Sequence, residues 1–175
     1  VEEVIGLDFS EIQKHMELQA KEALRVVGLE IEAIIKKYIK RLWYDRTFNN
    51  KHQYTRTYDY INSLTVSPVK TIASGQYEIT IYFDTNKIKP REPDGLDRWS
   101  SHQNITNGQS SAQFIPEWIE YGQKSKIYSY AGAYPMTHAL EEIRQTQFHI
   151  RRIQSILASK GIIVGVTGYV KLKRM

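Results

Sequence analysis

Apolar residues recur at steps of three and four from Ile12 to Leu42, through Met16, Ala20, Leu24, Val27, Ile31, Ile34, Ile35 and Tyr38. That spacing is one face of an α-helix. Lys14, Glu17, Lys21, Arg25, Glu32, Lys36 and Lys40 mark a wetter side, and Asp8 or Ser10 is the candidate N-cap. Unbroken from Phe9 to Leu42, the helix is roughly 50 Å long, which is long for a chain of 175 residues. Two outcomes are open: the helix projects past its own core and packs on neighbouring subunits, or it lies over its own sheet. Gly28, inside the pattern, marks a bend or a point of close packing.

The rest of the chain alternates short elements with long connections. Thr47–Tyr54 is polar and turn-like, and Ile61–Val66 reads as a short strand. In Gln76–Phe83, Tyr77, Ile79, Ile81 and Phe83 alternate with Glu78, Thr80 and Tyr82, the period of a strand with one buried face. Ser74-Gly75 is the turn before it. Residues 85–112 hold Pro90, Pro93, Gly95 and Gly108 and show no periodicity, so they read as a long loop or flap. Such loops often bind something or order on assembly, which makes Trp99 a candidate interface anchor; a locally packed Trp is the alternative. Phe114–Tyr121 is apolar and left unassigned. The tyrosine-rich loop that follows contains Tyr128 and Tyr130, further interface candidates. A second helix is expected from Pro135 to Ser159, with Met136, Leu140, Ile143, Gln147, Ile150, Ile153 and Leu157 on one side and Gly161 as its stop. Ile162–Val166 and Tyr169–Leu172 read as a strand pair turning at Thr167-Gly168. Lys171, Lys173 and Arg174 form a small basic tail and complete the interface candidates.

Chemistry-bearing patterns are sparse. Cysteine is absent, so disulfides and thiolate ligands are excluded. No HExxH pair, nucleophile elbow, phosphate-binding glycine loop or dinucleotide fingerprint occurs. His138 and His149 with Glu141 and Glu142 are the nearest approach to a metal site, and Glu92, Asp94 and Asp97 do not follow a calcium loop. The chain is therefore expected to be non-enzymatic and to use no metal or cofactor. Nothing resembles a signal peptide, and no apolar run of about 18 residues suggests a membrane span. The formal charge of +5 and the basic groups Lys36, Lys37, Lys40, Arg41 and Arg46, Arg151, Arg152 and Lys160, with the basic tail, permit phosphate contact. A non-enzymatic DNA-binding protein is thus the alternative; cations that offset a helix dipole explain the same residues. Twelve tyrosines against five phenylalanines suit half-buried positions and interfaces.

Three short motifs stand in a fixed order. Arg56 and Thr57 open the first and Ser63 and Leu64 close it; Glu120, Tyr121 and Gly122 make the second; Pro135, Met136, Ala139 and Leu140 make the third. Over roughly residues 10 to 160 this order resembles the tail-completion and head–tail joining family of tailed bacteriophages, related in fold to tail-terminator rings. Two departures are visible: Tyr58 stands where the family usually carries Gly, and the 85–112 segment exceeds a minimal member. The resemblance implies one domain over residues 1–175 of the α+β class, with a small antiparallel sheet flanked by a long N-terminal and a C-terminal helix. It implies a homo-oligomeric ring, hexameric, around a DNA channel at the head–tail junction or tail end of the virion. Connector and tail-tube proteins would be its partners, with no membrane and no sequence-specific DNA contact. Arg56 is a candidate partner of Glu120, and Gly122 a position for positive φ or close backbone approach. Fold maintenance and partner contact both fit these residues.

Overall fold

The long periodic stretch is one helix, α1, from Phe9 to Ile39. A computed structural model describes residues 9–46, 58–88, 105–106, 109–124 and 129–169. The helix does not stop at Ile39. It widens into a π-turn, Lys40–Tyr44, in which the Asp45 amide donates to the Lys40 carbonyl at 2.9 Å. This extra residue per turn rotates Tyr44 into the core, where its ring stacks on Tyr58 at 4.6 Å.

Ala23, Val27, Ile31, Ile35 and Ile39 of α1 are buried at a strict four-residue step and form the spine of the core. Two helices pack against this spine: α4, Pro135–Gln145, and α5, Phe148–Ser159. Helix α5 runs antiparallel to α1. Arg152 forks onto both oxygens of Glu30 at 2.7–3.0 Å, and a turn or two further on Lys160 reaches Glu22 at 2.6 Å and Gln19. Ala139, Leu140 and Ile143 of α4 are buried, and the Tyr38 hydroxyl donates to Glu142 at 2.5 Å.

A two-stranded antiparallel ribbon covers another side of α1. It begins after a short helix α2, Asp59–Ser63, and comprises β1 Leu64–Val66, β2 Lys70–Ala73, β3 Gln76–Glu78 and β4 Ile81–Phe83. Strand β1 pairs with β4 (Leu64↔Phe83) and β2 with β3 (Lys70↔Glu78). Between the two ladders the Ser67 amide bonds the Thr80 carbonyl at 2.8 Å, so both belong to one hairpin. Its break falls at Pro68, which has no amide to donate. The ribbon crosses α1 at Gly28. A Cβ there would meet Ile79 Cδ1 at 2.5 Å and Val66 Cγ1 at 3.3 Å, so Gly28 is a packing point.

Beyond β4 come a 3₁₀ turn, Thr85–Lys87, a minimal ladder of β5 Ile105–Thr106 with β6 Gln109–Ser110, and a second 3₁₀ turn, Ser111–Phe114. Then follow α3, Ile115–Tyr121, and the hairpin of β7 Gly122–Lys124 with β8 Ser129–Ala131. The architecture is α+β, with small antiparallel pairs flanked by a long N-terminal helix and C-terminal helices.

Several expectations need correction. The second helix is two helices, because Gln147 turns left-handed at φ 49. Thr146 prepares the break, its hydroxyl and amide both bonding back to the Glu142 carbonyl. Ile61–Val66 is half helix and half strand. Ser63 closes the helical turn by donating its hydroxyl to the Tyr60 carbonyl at 2.7 Å, and its own carbonyl accepts the Asp84 amide. The unassigned Phe114–Tyr121 is helical from Ile115, with Pro116 in the first turn. Gln76–Phe83 is divided into β3 and β4, yet Tyr77, Ile79, Ile81 and Phe83 all face inward. Ile162–Val166 takes no regular secondary structure and has no ladder partner among the described residues. The 85–112 segment contains short regular turns at both ends; Trp99 and its neighbours lie outside the described residues.

Candidate functional site

The second and third motifs meet in space. Helix α3 ends at Gly122, whose φ of 88 and ψ of 169 belong to a region only glycine occupies readily. Its amide closes the helix on the Trp118 carbonyl. The chain then makes the β7–β8 hairpin and returns alongside α3: the Ala133 amide bonds the Ile119 carbonyl at 2.8 Å and the Tyr134 amide bonds the Glu120 carbonyl at 3.1 Å. Gly132 makes this return possible. A Cβ on it would lie 2.3 Å from the Glu120 carbonyl oxygen and 2.8 Å from Tyr121 Cα, both backbone atoms.

That crossing delivers Glu120 to the start of α4. The residue is only 4% exposed. One carboxylate oxygen accepts the Met136 amide at 2.9 Å; the other accepts the Thr137 amide at 2.9 Å and the Thr137 hydroxyl at 2.6 Å. Tyr134, the residue before α4, is left-handed at φ 51 and offers no side-chain cap. Glu120 therefore caps α4 from another helix, satisfying two orphan amides and placing negative charge at the positive end of the helix dipole. Pro135 at the first position has no amide to satisfy. Tyr121 and Tyr134 meet edge to face on the outside of this joint, ring centroids 6.3 Å apart, and both are exposed.

The buried end of the first motif lies at the same joint. Tyr60 stacks on Phe83 at 4.7 Å, and its hydroxyl has no hydrogen-bond partner among the described residues. Burial, followed by the negative charge of Glu120 and the neighbouring Tyr44, pushes Tyr60 well above the ordinary tyrosine range. Ser63 and Leu64 are buried, and Ser63 spends its hydroxyl on its own helix. At Tyr58, where the resembled family carries glycine, the backbone keeps a left-handed φ of 59. Stacking on Tyr44 holds the bulky residue in that conformation. Arg56 and Thr57 lie outside the described residues, as do Tyr128, Lys171, Lys173 and Arg174. Tyr130 lies in β8, opposite Gln123. Among the residues expected to form motifs, the structure thus joins Glu120, Tyr121, Gly122 and Pro135 in one joint, while Ala139, Leu140, Ser63 and Leu64 are buried beyond it.

Thr137 and Gly132 belong to none of the three sequence motifs. A signal for the cap did exist: α4 begins at Tyr134-Pro135 with no Ser, Thr, Asp or Asn before it, so its amides need an acceptor from elsewhere.

Several of the basic candidates are engaged within the chain. Lys36 pairs with Glu32 at 2.7 Å, Arg152 with Glu30, Lys160 with Glu22, and Arg41 lies over the Tyr38 ring at 4.6 Å. The Glu142 hydrogen bond, then burial, raises Tyr38 above its usual value, and the Glu30 fork does the same for Arg152. His138 contacts Glu141 at 3.4 Å, while the His149 ring nitrogens are enclosed without partners among the described residues. Among the described residues no cluster of three or more His, Asp or Glu is placed to hold a metal ion, and no helix is long and apolar enough to cross a membrane. No protein-family model, curated protein or solved structure matches the chain.

Proposed function

We propose that this chain is a structural virion protein of a tailed bacteriophage that completes the tail or joins head to tail. In this reading it acts as a homo-oligomeric ring, hexameric, around the DNA channel, docking connector or tail-tube proteins and taking its place during assembly in the host cytoplasm. The motif order supports the family. One structural observation supports the oligomer. From Ala23 the apolar face of α1 continues toward the N-terminus, by a step of three and then steps of four, through Ala20, Met16 and Ile12, of which Met16 and Ile12 are 40% and 50% exposed. Helix α5 ends near Gln19, and among the described residues the turn of α1 before it, residues 11–16, is exposed. Leu18 and Leu29 add apolar surface on a further side of the same helix. A stripe with core spacing but no core is what a neighbouring subunit covers.

The mechanism is mechanical. Subunits close a ring through projecting helices, the ring ends tube growth or presents a docking face, and DNA passes through without sequence readout. The test is deletion of the coding sequence from the phage, with complementation. Unjoined heads and tails, or tails of uncontrolled length, are expected by electron microscopy. Normal particles from the deletion strain would refute the reading.

A further inference from the structure

After α5 the chain makes a glycine stop. Gly161 has φ 76, its amide bonds the Ala158 carbonyl, and the Ile162 amide bonds the Leu157 carbonyl at 2.9 Å. Residues 162–169 then run Ile-Ile-Val-Gly-Val-Thr-Gly-Tyr. Ile162, Val164 and Val166 are half-buried, whereas Ile163, Gly165 and Thr167 are exposed, Ile163 to 93%. That alternation is the two-residue period of an extended strand with one face on its own domain. The run Ile162–Thr167 is β-branched and apolar, yet it joins no ladder among the described residues.

The same chain carries a matching acceptor. The β1–β4 ribbon has only two arms, and both outer edges are unpaired among the described residues. The 64–73 arm is interrupted by Pro68. The 76–83 arm, Gln-Tyr-Glu-Ile-Thr-Ile-Tyr-Phe, contains no proline and can donate and accept along its whole length. An open edge of this kind is a template for strand addition.

Donor and acceptor cannot readily meet within one chain. At about 100° per residue, Gly28 and Lys21 share the side of α1 that faces the ribbon, Lys21 lying 5.3 Å over the Tyr77 ring. Gln19, Glu22 and Glu30, which hold α5, lie on the far side. Helix α1 therefore stands between the ribbon and the point where the 162–169 segment leaves α5. We propose that residues 162–167 of one copy add as a strand to the open edge of the 76–83 arm of a second copy. Donor and acceptor are different patches, so the contact is head-to-tail and can propagate from copy to copy until it closes a ring. This inference rests on the self-association part of the proposed function.

The absence of cysteine makes the test direct. Full-length Ile163→Cys chains are mixed under oxidising conditions with full-length chains carrying Glu78→Cys, Thr80→Cys or Tyr82→Cys. A covalent dimer of two different chains is expected for at least one pairing, and none for Ile163→Cys alone. Separately, Ile163→Pro removes one ladder amide at a side chain that is exposed in the monomer. It is expected to leave the melting temperature of the monomer unchanged and to weaken association at least tenfold by sedimentation velocity. Oligomers that persist in Ile163→Pro, or that give no mixed disulfide at any of the three positions, would overturn the strand contact and leave the ring standing. A chain that forms no oligomer in solution or in particles would overturn both.

Discussion

Replacing Glu120 with alanine removes three hydrogen bonds at once from the first turn of α4. Two come from backbone amides at 2.9 Å and one from a hydroxyl at 2.6 Å, all to a carboxylate that is 4% exposed. A hydrogen bond to a charged group contributes about 1.5–3 kcal/mol net, and a carboxylate at a helix N-terminus adds about 0.3–1 kcal/mol. The sum overstates the loss, because keeping the carboxylate dehydrated opposes it, and Met136 and Thr137 are only half-buried, so water can reach their freed amides. The expected destabilisation is about 3–4 kcal/mol, a large share of the roughly 5–15 kcal/mol that holds such a domain. Glu120→Gln keeps one acceptor oxygen but turns an amide group toward donors, and should lose about half as much. Thr137→Val removes only the hydroxyl bond to this carboxylate and should cost about 1.5 kcal/mol. Urea unfolding followed by circular dichroism measures all three, with an unchanged slope showing that the unfolded state is the same. The Glu120→Ala, Thr137→Val double mutant should be less destabilised than the sum of the two single mutants, because Thr137 has already lost its partner. An alanine variant within about 1 kcal/mol of the parent, or strictly additive mutants, would refute the cap as the organiser of this joint.

Other perturbations separate the remaining parts. Tyr60→Phe removes a buried hydroxyl without a partner among the described residues and should stabilise the fold by about 1 kcal/mol; a loss of stability instead would mean that the hydroxyl is satisfied. Because Tyr60 is raised in the folded state, its contribution is intact below the unfolded value near 10.0 and declines as the pH rises above it. Unfolding midpoints taken from pH 9 to 11 should therefore fall less steeply in the phenylalanine variant, by up to about 1.4 kcal/mol per pH unit. Gly132→Ala must move backbone and should cost about 2–4 kcal/mol, whereas Gly28→Ala displaces the mobile end of Ile79 and regains about 1 kcal/mol of helix propensity; thermal melts showing equal effects would contradict the close crossing at Gly132. Ile12→Ser with Met16→Ser should leave the melting temperature of the monomer within a few degrees of the parent while weakening self-association, read by sedimentation; unaltered association would remove the projecting stripe from the interface.

The long helix was legible because ten apolar positions kept one period; a glycine in such a pattern needs a reason, but whether Gly28 marked a bend or a packing point depended on Ile79 and Val66 across it. The alternation at 77, 79, 81 and 83 gave the correct inward face even though the ladder breaks beside Pro68. The second helix was misread at Gln147. A polar residue on the apolar line was the visible clue, but the break depends on Thr146 bonding back to Glu142, a local competition that periodicity does not register. The 61–66 segment defeated the two-residue pattern because a helical turn closed by Ser63 takes up half of it. The joint itself was half legible. Gly122 and Pro135 announced a tight turn and a helix start, while the cap depends on a contact between residues far apart in sequence, brought together by a hairpin and a glycine crossing.

The measurement that bears most directly on the proposed role is the position and copy number of the chain in intact virions of the phage that encodes it, by immunogold labelling and quantitative mass spectrometry of purified particles. A single labelled site at the head–tail junction or tail end, in a hexamer's worth of copies, is the expected result. Purified particles that carry neither label nor peptide would contradict it.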